Sequence, residues 1–161
     1  MANYQASVTQ YRPAGVSGDK ATPNQSIYFP RQLFAEGDVF VGTFVQFGTD
    51  PATQAKAGGT KPIGFVERNI VYPNVNVLND GTLQVPKGYP LTIAVRGDYY
   101  VTSTTAGAMN DKVFANTTTG VVTFGSGTAP SGTVDTGWVV RRPGAAGEPV
   151  LISNWTPTTA A

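Results

Sequence analysis

The chain has 161 residues, of which 13% are charged, and its formal net charge is +1. It contains no cysteine and no histidine, which excludes disulfides, thiolate chemistry and the commonest general base and metal ligand. There is no basic excess to hold a phosphate backbone and no apolar run near the ~18 residues of a membrane span. We therefore expect no cofactor, no metal, no nucleic acid and no membrane as partners.

The composition favours β-structure. Thr and Val number 21 and 19, against 5 Leu and 2 Met, and β-branched side chains fit strands better than helices. We expect one all-β domain, sandwich- or barrel-like, over residues 33–161, with eight to ten short strands. The sparse charge has two open explanations: Thr, Ser, Asn and Gln keep the surface soluble, or part of that surface is buried in an assembly.

Residues 1–32 predict an extended N-terminal arm, because three prolines interrupt a stretch without sustained periodicity. The arm is expected to order against the body or a neighbour, with a disordered leader as the alternative. The start of the chain lacks the apolar core of a signal peptide, so synthesis in a cytoplasm is expected. The arm carries aromatic and arginine side chains, the types enriched at interfaces, and these are the predicted contact residues: Tyr4, Tyr11, Arg12, Tyr28, Phe29 and Arg31.

The first clear strand pattern covers residues 38–47. Apolar side chains fall on both of its faces, which predicts burial on both: Val39, Val41, Val45 and Phe47 on one, Phe40 and Phe44 on the other.

One short helix is predicted near residues 51–57. Asp50 can cap it, Pro51 suits its first position and Gly58 can end it. At under two turns, such a helix depends on the body for its stability.

The next strands are predicted at residues 63–68 and 74–78. Asn79-Asp80-Gly81 predicts a tight hairpin turn after the second of these. Leu83 and Val85 would continue on the returning strand.

Residues 89–102 predict the central strand of the domain. Apolar residues recur at every second position, which would place them on one face: Leu91, Ile93, Val95, Tyr99 and Val101. Gly97 interrupts the run and predicts a bulge or bend. Arg96-Gly97-Asp98 spells a cell-adhesion tripeptide, but it lies within this strand rather than in a protruding loop, and a chance match is the better explanation.

The C-terminal third predicts three further features. A hairpin joins residues 113–115 to 121–124 across a turn that ends at Gly120, a Gly- and Ser-rich loop covers 125–135, and strands follow at 136–142 and 150–155. Arg141 and Arg142 form the only basic doublet. They are either a solvated strand end or a contact with an acidic partner, so we include them among the candidate contact residues.

Catalysis is not expected. Two of the seven Asp and three Glu residues could form a glycosidase pair, but no spacing selects a pair. Trp138 and Trp155 could stack on a sugar, yet both lie on apolar strands, so we expect both in the core. A glycan-binding or adhesion module stays open as the alternative function.

From residue 91 onward, five short motifs follow one another: Leu91-Thr-Ile-Ala-Val-Arg-Gly, Asn110-Asp-Lys-Val-Phe-Ala-Asn, Thr119-Gly-Val-Val-Thr, Thr136-Gly-Trp-Val-Val and Gly147-Glu-Pro-Val-Leu-Ile-Ser-Asn-Trp155. In this order they resemble the structural cement, or head-decoration, proteins of tailed bacteriophages. Residues 36–42 and 62–66 are similar to the first body strands of that family. In this context, the alternative adhesion module would belong to a phage tail or surface structure.

The resemblance implies a non-catalytic protein on the outside of a phage head. It would bridge capsomers of the major capsid protein and resist the internal pressure of packaged DNA. It further implies contact with copies of itself, with a homotrimer at threefold or quasi-threefold points as the expectation and a dimer as the alternative. Many weak contacts repeated over a closed shell would then sum through avidity.

Overall fold

The structure is a computed structural model that describes residues 15–69 and 84–155. This part of the chain is all-β and sandwich-like, as the sequence predicted, and it contains no helix. Its strands are Ile27–Tyr28 (β1), Leu33–Ala35 (β2), Val39–Phe40 (β3), Phe44–Phe47 (β4), Gln54–Ala57 (β5), Gly64–Val66 (β6), Gln84–Val85 (β7), Pro90–Leu91 (β8), Ile93–Arg96 (β9), Asp98–Thr102 (β10), Lys112–Asn116 (β11), Val122–Gly125 (β12), Thr133–Arg142 (β13) and Pro149–Ser153 (β14).

The first sheet has seven strands in the order β1-β9-β6-β4-β5-β2-β8, antiparallel except for the parallel pair β2–β5. The two end strands, β1 and β8, are each joined by a short connection to a strand near the opposite end of the sheet: four residues link β1 to β2, and one residue links β8 to β9. The sheet is therefore strongly curled. Its inner face and the small sheet β3–β7 enclose one apolar core, formed by Leu33, Ala35, Val39, Val41, Val45, Ala55, Val66, Val85, Leu91 and Ile93.

The second sheet has five antiparallel strands in the order β10-β14-β13-β11-β12. Its inner face packs on the outer face of the first sheet, since Phe44, Phe65 and Ala94 join its side chains in a second core. Trp138 lies at the centre of that core, with its ring centroid 5.8 Å from Phe44 and 6.0 Å from Tyr99. Offset and edge-on aromatic contacts of this kind add stability beyond area burial.

Gly97 is the point at which the chain leaves one sheet for the other. The predicted central strand is thus three strands: β8 and β9 belong to the first sheet and β10 to the second. Gly97 has φ +153°, and a Cβ there would lie 2.6 Å from the Tyr99 ring. The predicted bend is confirmed. The prediction of one shared face was wrong, because Ile93 enters the curled core whereas Val101 enters the core between the sheets.

The helix predicted near residues 51–57 is absent. Asp50 does cap a turn: its carboxylate accepts hydrogen bonds from Ala52 N–H (3.0 Å) and Thr53 Oγ1 (2.6 Å). The turn closes when Gln54 N–H donates to the Asp50 carbonyl, and the chain then enters β5 between β4 and β2. Pairing on both sides and burial of Ala55 outweigh the weak helix propensity of so short a segment.

The strand predicted over residues 38–47 is also two strands. Gly42, with φ +80°, separates β3 from β4, and the two strands belong to different sheets. The prediction that the whole run is buried on both faces was wrong for Phe40 and Phe47, which are exposed. Such breaks explain why more strands are present than the eight to ten predicted.

The hairpin predicted at residues 113–124 is confirmed, with Val113 opposite Phe124 and Ala115 opposite Val122. Its turn joins the two sheets. Gly120 C=O accepts from Phe44 N–H (2.9 Å), while Phe44 C=O accepts from Gly58 N–H (2.9 Å). The strands predicted at 136–142 and 150–155 are observed as β13 and β14. The hairpin predicted at 79–81 and the strand at 74–78 lie outside the described residues.

Candidate interaction surface

Residues 18–21 run along the open edge of β10. Gly18 N–H donates to Tyr100 C=O (2.8 Å), Tyr100 N–H donates to Asp19 C=O (2.9 Å), and Ala21 N–H donates to Asp98 C=O (2.8 Å). An ion pair between Arg68 and Asp19 (3.1 Å) supports the same stretch from the first sheet. These residues therefore add a partner to an edge that would otherwise present unpaired backbone groups.

The buried carboxylate of Asp98 anchors the following residues. It accepts hydrogen bonds from Thr22 Oγ1 (2.6 Å) and Asn24 Nδ2 (2.7 Å). Burial raises the pKa of this carboxyl, but hydrogen bonds from Ser153, Thr22 and Asn24 outweigh that effect and hold the pKa below its ordinary value. The aspartate of the Arg-Gly-Asp tripeptide is thus engaged inside the protein and does not project from a loop.

A second polar contact joins Tyr99 to Glu67, close to Tyr28 of β1. The hydroxyl of Tyr99, which is fully buried, donates to Glu67 Oε2 (2.7 Å). Burial is the main reason that the pKa of Tyr99 is raised far above its ordinary value, and the nearby Glu67 carboxylate adds to the shift. Burial also raises the pKa of Tyr28, and the Glu67 carboxylate again adds to the shift. Glu67 therefore serves as an internal acceptor.

The structure brings three of the predicted contact residues together at β1. Tyr28 lies on the strand with 44% of its surface exposed. The Phe29 ring packs edge-on against Phe47, with centroids 5.7 Å apart, and the Arg31 guanidinium donates to Pro51 C=O (2.9 Å). Tyr4, Tyr11 and Arg12, also predicted to make contacts, lie outside the described residues.

A groove of about 250 Å³ opens beside β1, where the two ends of the curled sheet part. It is lined by residues 28–32 on one side and 91–93 on the other. Its volume is below the roughly 300–1,000 Å³ of typical small-molecule sites. A single side chain of a partner protein suits it better than a separate ligand.

Arg141 and Arg142 belong to the other sheet. Arg141 donates to Asn110 Oδ1 (2.7 Å), which ties it to the neighbouring turn. Arg142 is exposed and lies opposite Leu151 of β14. The basic doublet Arg141-Arg142 therefore lies on β13 of the second sheet, whereas Tyr28, Phe29 and Arg31 lie at the edge of the first sheet.

The two tryptophans have different environments. Trp138 is buried between the sheets, as predicted. The prediction that Trp155 lies in the core was wrong: its side chain is 36% exposed, and the Arg96 guanidinium lies 5.8 Å from its ring centroid. Trp155 lies two residues beyond Ser153, the last residue of β14, so the strand pattern alone overestimated its burial.

Ile27 is a surface residue that the sequence reasoning missed. It is 46% exposed on β1 and lies opposite Arg96 of β9. Three consecutive apolar residues, Ile27-Tyr28-Phe29, were a usable signal, because an extended chain cannot direct all three toward one core. Such a run indicates a strand with an apolar outer side.

The acidic residues of the described ranges serve mainly as structural acceptors. Asp50, Asp111, Asp135 and Glu148 each accept a hydrogen bond from a backbone N–H two or three residues away, the geometry of turn caps. Among residues 15–69 and 84–155, no three His, Cys, Asp or Glu side chains are grouped to hold a metal ion. The same ranges contain no helix that is long and apolar enough to cross a membrane.

Comparison with known proteins identifies the family. Residues 4–154 match the family model described as XM1 gp53 minor capsid protein. A solved structure of similar fold belongs to "The capsid of Myoviridae Phage XM1", with a TM-score of 0.62 and 16% identity over 95% of this chain and 98% of that chain. No curated protein matches the sequence. The chain therefore belongs to the family of the XM1 gp53 minor capsid protein, and its role is a structural one in a phage capsid.

Proposed function

We propose that this protein is a cement, or decoration, protein on the outside of the capsid, where it bridges capsomers of the major capsid protein. The observation that carries the proposal is the family match over residues 4–154. A capsid protein of this size that is built as a small β-sandwich with exposed aromatic side chains suits a role between larger subunits.

The mechanical part of the proposal rests on the stiffness of the body. Its two cores share the first sheet, and the Phe44 N–H donates to Gly120 C=O while the Phe44 C=O accepts from Gly58 N–H. Close packing on both faces of one sheet resists shear, because neither layer can move without opening the other. A rigid plug transmits load between the subunits that it contacts.

The contacts of the proposal come from two regions. Residues 1–32 would act as the arm. Its described part, from residue 15 onward, lies against the body, with residues 18–21 along β10 and residues 27–28 forming β1. The side chains expected to contact neighbouring capsid subunits are Tyr4, Tyr11, Arg12, Tyr28, Phe29 and Arg31. Arg141 and Arg142 would supply a second, basic contact from β13. Each contact is weak, and repetition over a closed shell provides the affinity.

Self-association is part of the same proposal. We expect a homotrimer at threefold or quasi-threefold points, with a dimer as the alternative. Light scattering of the purified protein, and imaging of decorated heads, would give the copy number at each site. A strictly monomeric protein on the heads would contradict this part.

The central experiment adds the purified protein to phage heads that lack it. Co-sedimentation should show saturable binding, and decorated heads should survive heating or osmotic shock better than bare ones. Labelling of intact, DNA-filled heads with an antibody tests the outer location. Absence of binding, or labelling only after the heads are broken, would overturn the proposal.

A glycan-binding module is the second candidate, and exposed Trp155 is the observation that favours it. A sugar stacked on its free face would change the tryptophan fluorescence. A glycan array and a fluorescence titration with the Trp155→Phe variant as the control would test this alternative. Absence of binding on the glycan array, together with no change in fluorescence, would rule out the glycan-binding function.

A further inference from the structure

Among the described residues, β1 is an end strand of the first sheet and has a strand partner only on its β9 side. Phe29 N–H donates to Ile93 C=O (2.9 Å), so it points toward β9. Successive residues of a strand direct their N–H groups to opposite sides. The N–H and C=O of Tyr28 therefore point away from β9, where an added strand would meet them.

Within the described ranges, three other edges of the two large sheets, those of β10, β12 and β8, are covered or blocked, in contrast to β1. Residues 18–21 pair with β10, as described above. At β12, Val122 C=O accepts from Ser103 Oγ (2.7 Å) and Phe124 N–H donates to Thr105 Oγ1 (2.9 Å). The edge strand β8 begins with Pro90, which has no N–H to offer. Since an uncovered edge invites pairing, β1 is the best suited of these four edges to accept a strand.

The side chains at this edge are apolar and exposed. Ile27 and Tyr28 are 46% and 44% exposed, and they adjoin the groove of about 250 Å³. In strand addition, backbone hydrogen bonds supply affinity and side-chain pockets supply specificity. The β1 edge would supply the backbone hydrogen bonds, and the groove would supply the side-chain pocket.

Two arginines lie close to the β1 edge. Arg96 lies opposite Ile27, and Arg31 follows β1 by three residues. Within the described ranges, the ion pairs are Arg68–Asp19 and Lys112–Asp135, so neither of these two guanidinium groups has a carboxylate within 4 Å. The Asp50 carboxylate interacts with Arg31 at longer range. The two unpaired guanidinium groups give this edge a positive charge that favours an acidic partner.

We infer that the outer edge of β1 binds an extended, acidic segment of the capsid shell protein by strand addition, with one of its side chains in the adjoining groove. This inference rests on the proposed function and names its partner surface. A second copy of this chain is disfavoured, since pairing β1 with itself would bring Arg31 and Arg96 of both copies together.

The test compares variants in binding to heads that lack the protein. Ile27→Lys places a charge on the edge, which should weaken binding about tenfold or more. The matched control Val121→Lys changes an equally exposed apolar residue near β12 and should bind as the unaltered protein does. Circular dichroism and thermal melting confirm that each variant is folded.

Charge reversal tests the acidic character of the partner. Arg31→Glu combined with Arg96→Glu should weaken binding at low salt by about tenfold or more, whereas Lys61→Glu, at an exposed lysine, should not. Binding of the unaltered protein should also fall as salt increases. Salt-independent binding would overturn the assignment of an acidic partner.

The possible results distinguish failure of this inference from failure of the proposed function. If the unaltered protein fails to bind heads, the proposed function fails. If it binds, but Ile27→Lys binds equally well, only the inference fails. Loss of self-association in the Ile27→Lys variant, with binding to heads intact, would assign the edge to a second copy and overturn the inference.

Discussion

Thr22 Oγ1 donates a 2.6 Å hydrogen bond to the buried carboxylate of Asp98, which links the N-terminal segment to the strand that begins directly after the chain changes sheets. The same carboxylate accepts from Asn24. One side chain thus fixes the path of the segment that leads into β1. The orientation of the proposed binding edge depends on this anchor.

Replacement of Asp98 by Asn should destabilise the protein. The amide has one acceptor oxygen and introduces two donors into a buried site, so at least one charge-assisted hydrogen bond is lost. Such bonds contribute about 1.5–3 kcal/mol each, and we expect the free energy of unfolding to fall by about that amount in urea titrations. Asp38→Asn, at an exposed carboxylate, is the control and should change stability by less than about 0.5 kcal/mol.

Asp98 should also make stability depend on pH in the acid range. Its native pKa is lower than its ordinary value of 3.8, so the unfolded chain binds more protons as acid is added. The stabilisation is fully present above the unfolded pKa and is lost as the pH falls through the native pKa. Urea titrations between pH 5 and pH 2 should show a steeper loss for the unaltered protein than for Asp98→Asn. Parallel curves would contradict this assignment.

Gly120→Ala should disrupt the joint between the sheets. Gly120 has φ +72°, and a Cβ there would lie 2.1 Å from the Phe44 carbonyl oxygen. Left-handed strain and the loss of the Phe44 hydrogen bond should together cost about 2 kcal/mol or more. Thermal melting gives the measurement. Gly127→Ala, in open space, should melt within a few degrees of the unaltered protein.

The two tryptophans provide a matched pair for stability. Trp138→Ala removes the centre of the aromatic core and should cost about 3–5 kcal/mol. Trp155→Ala removes a partly exposed ring and its contact with Arg96, which should cost less than about 1 kcal/mol. Denaturant titrations of both variants test the difference. Equal losses would mean that Trp155 is as deeply packed as Trp138.

Local patterns predicted the hairpin at residues 113–124 because every signal there is local. Alternating side chains, a short turn and Gly120 lie within twelve consecutive positions, and the pairing needs no distant partner. The helix predicted near 51–57 failed for the opposite reason. Asp50 capped a turn as expected, but the residues after it found partners in β4 and β2, which their own sequence does not specify.

The candidate surface was predictable only in part. Tyr28, Phe29 and Arg31 were identified from residue type, since aromatic and arginine side chains favour interfaces. Ile27 and Arg96 were not, because their importance comes from lying opposite each other across β1 and β9, some seventy positions apart in the chain. No local pattern reports such a pairing.

Composition and strand periodicity are properties of neighbouring residues, so they were enough to predict the all-β class, the lack of cysteine and histidine chemistry, and the bend at Gly97. The fold was needed to show that Gly97 passes the chain between sheets and that Trp155 is exposed. It was also needed to show that the described strands leave the outer side of β1 without a partner. Burial and edge protection depend on what packs from elsewhere in the chain. Those long-range contacts are set by the whole fold and not by any one segment.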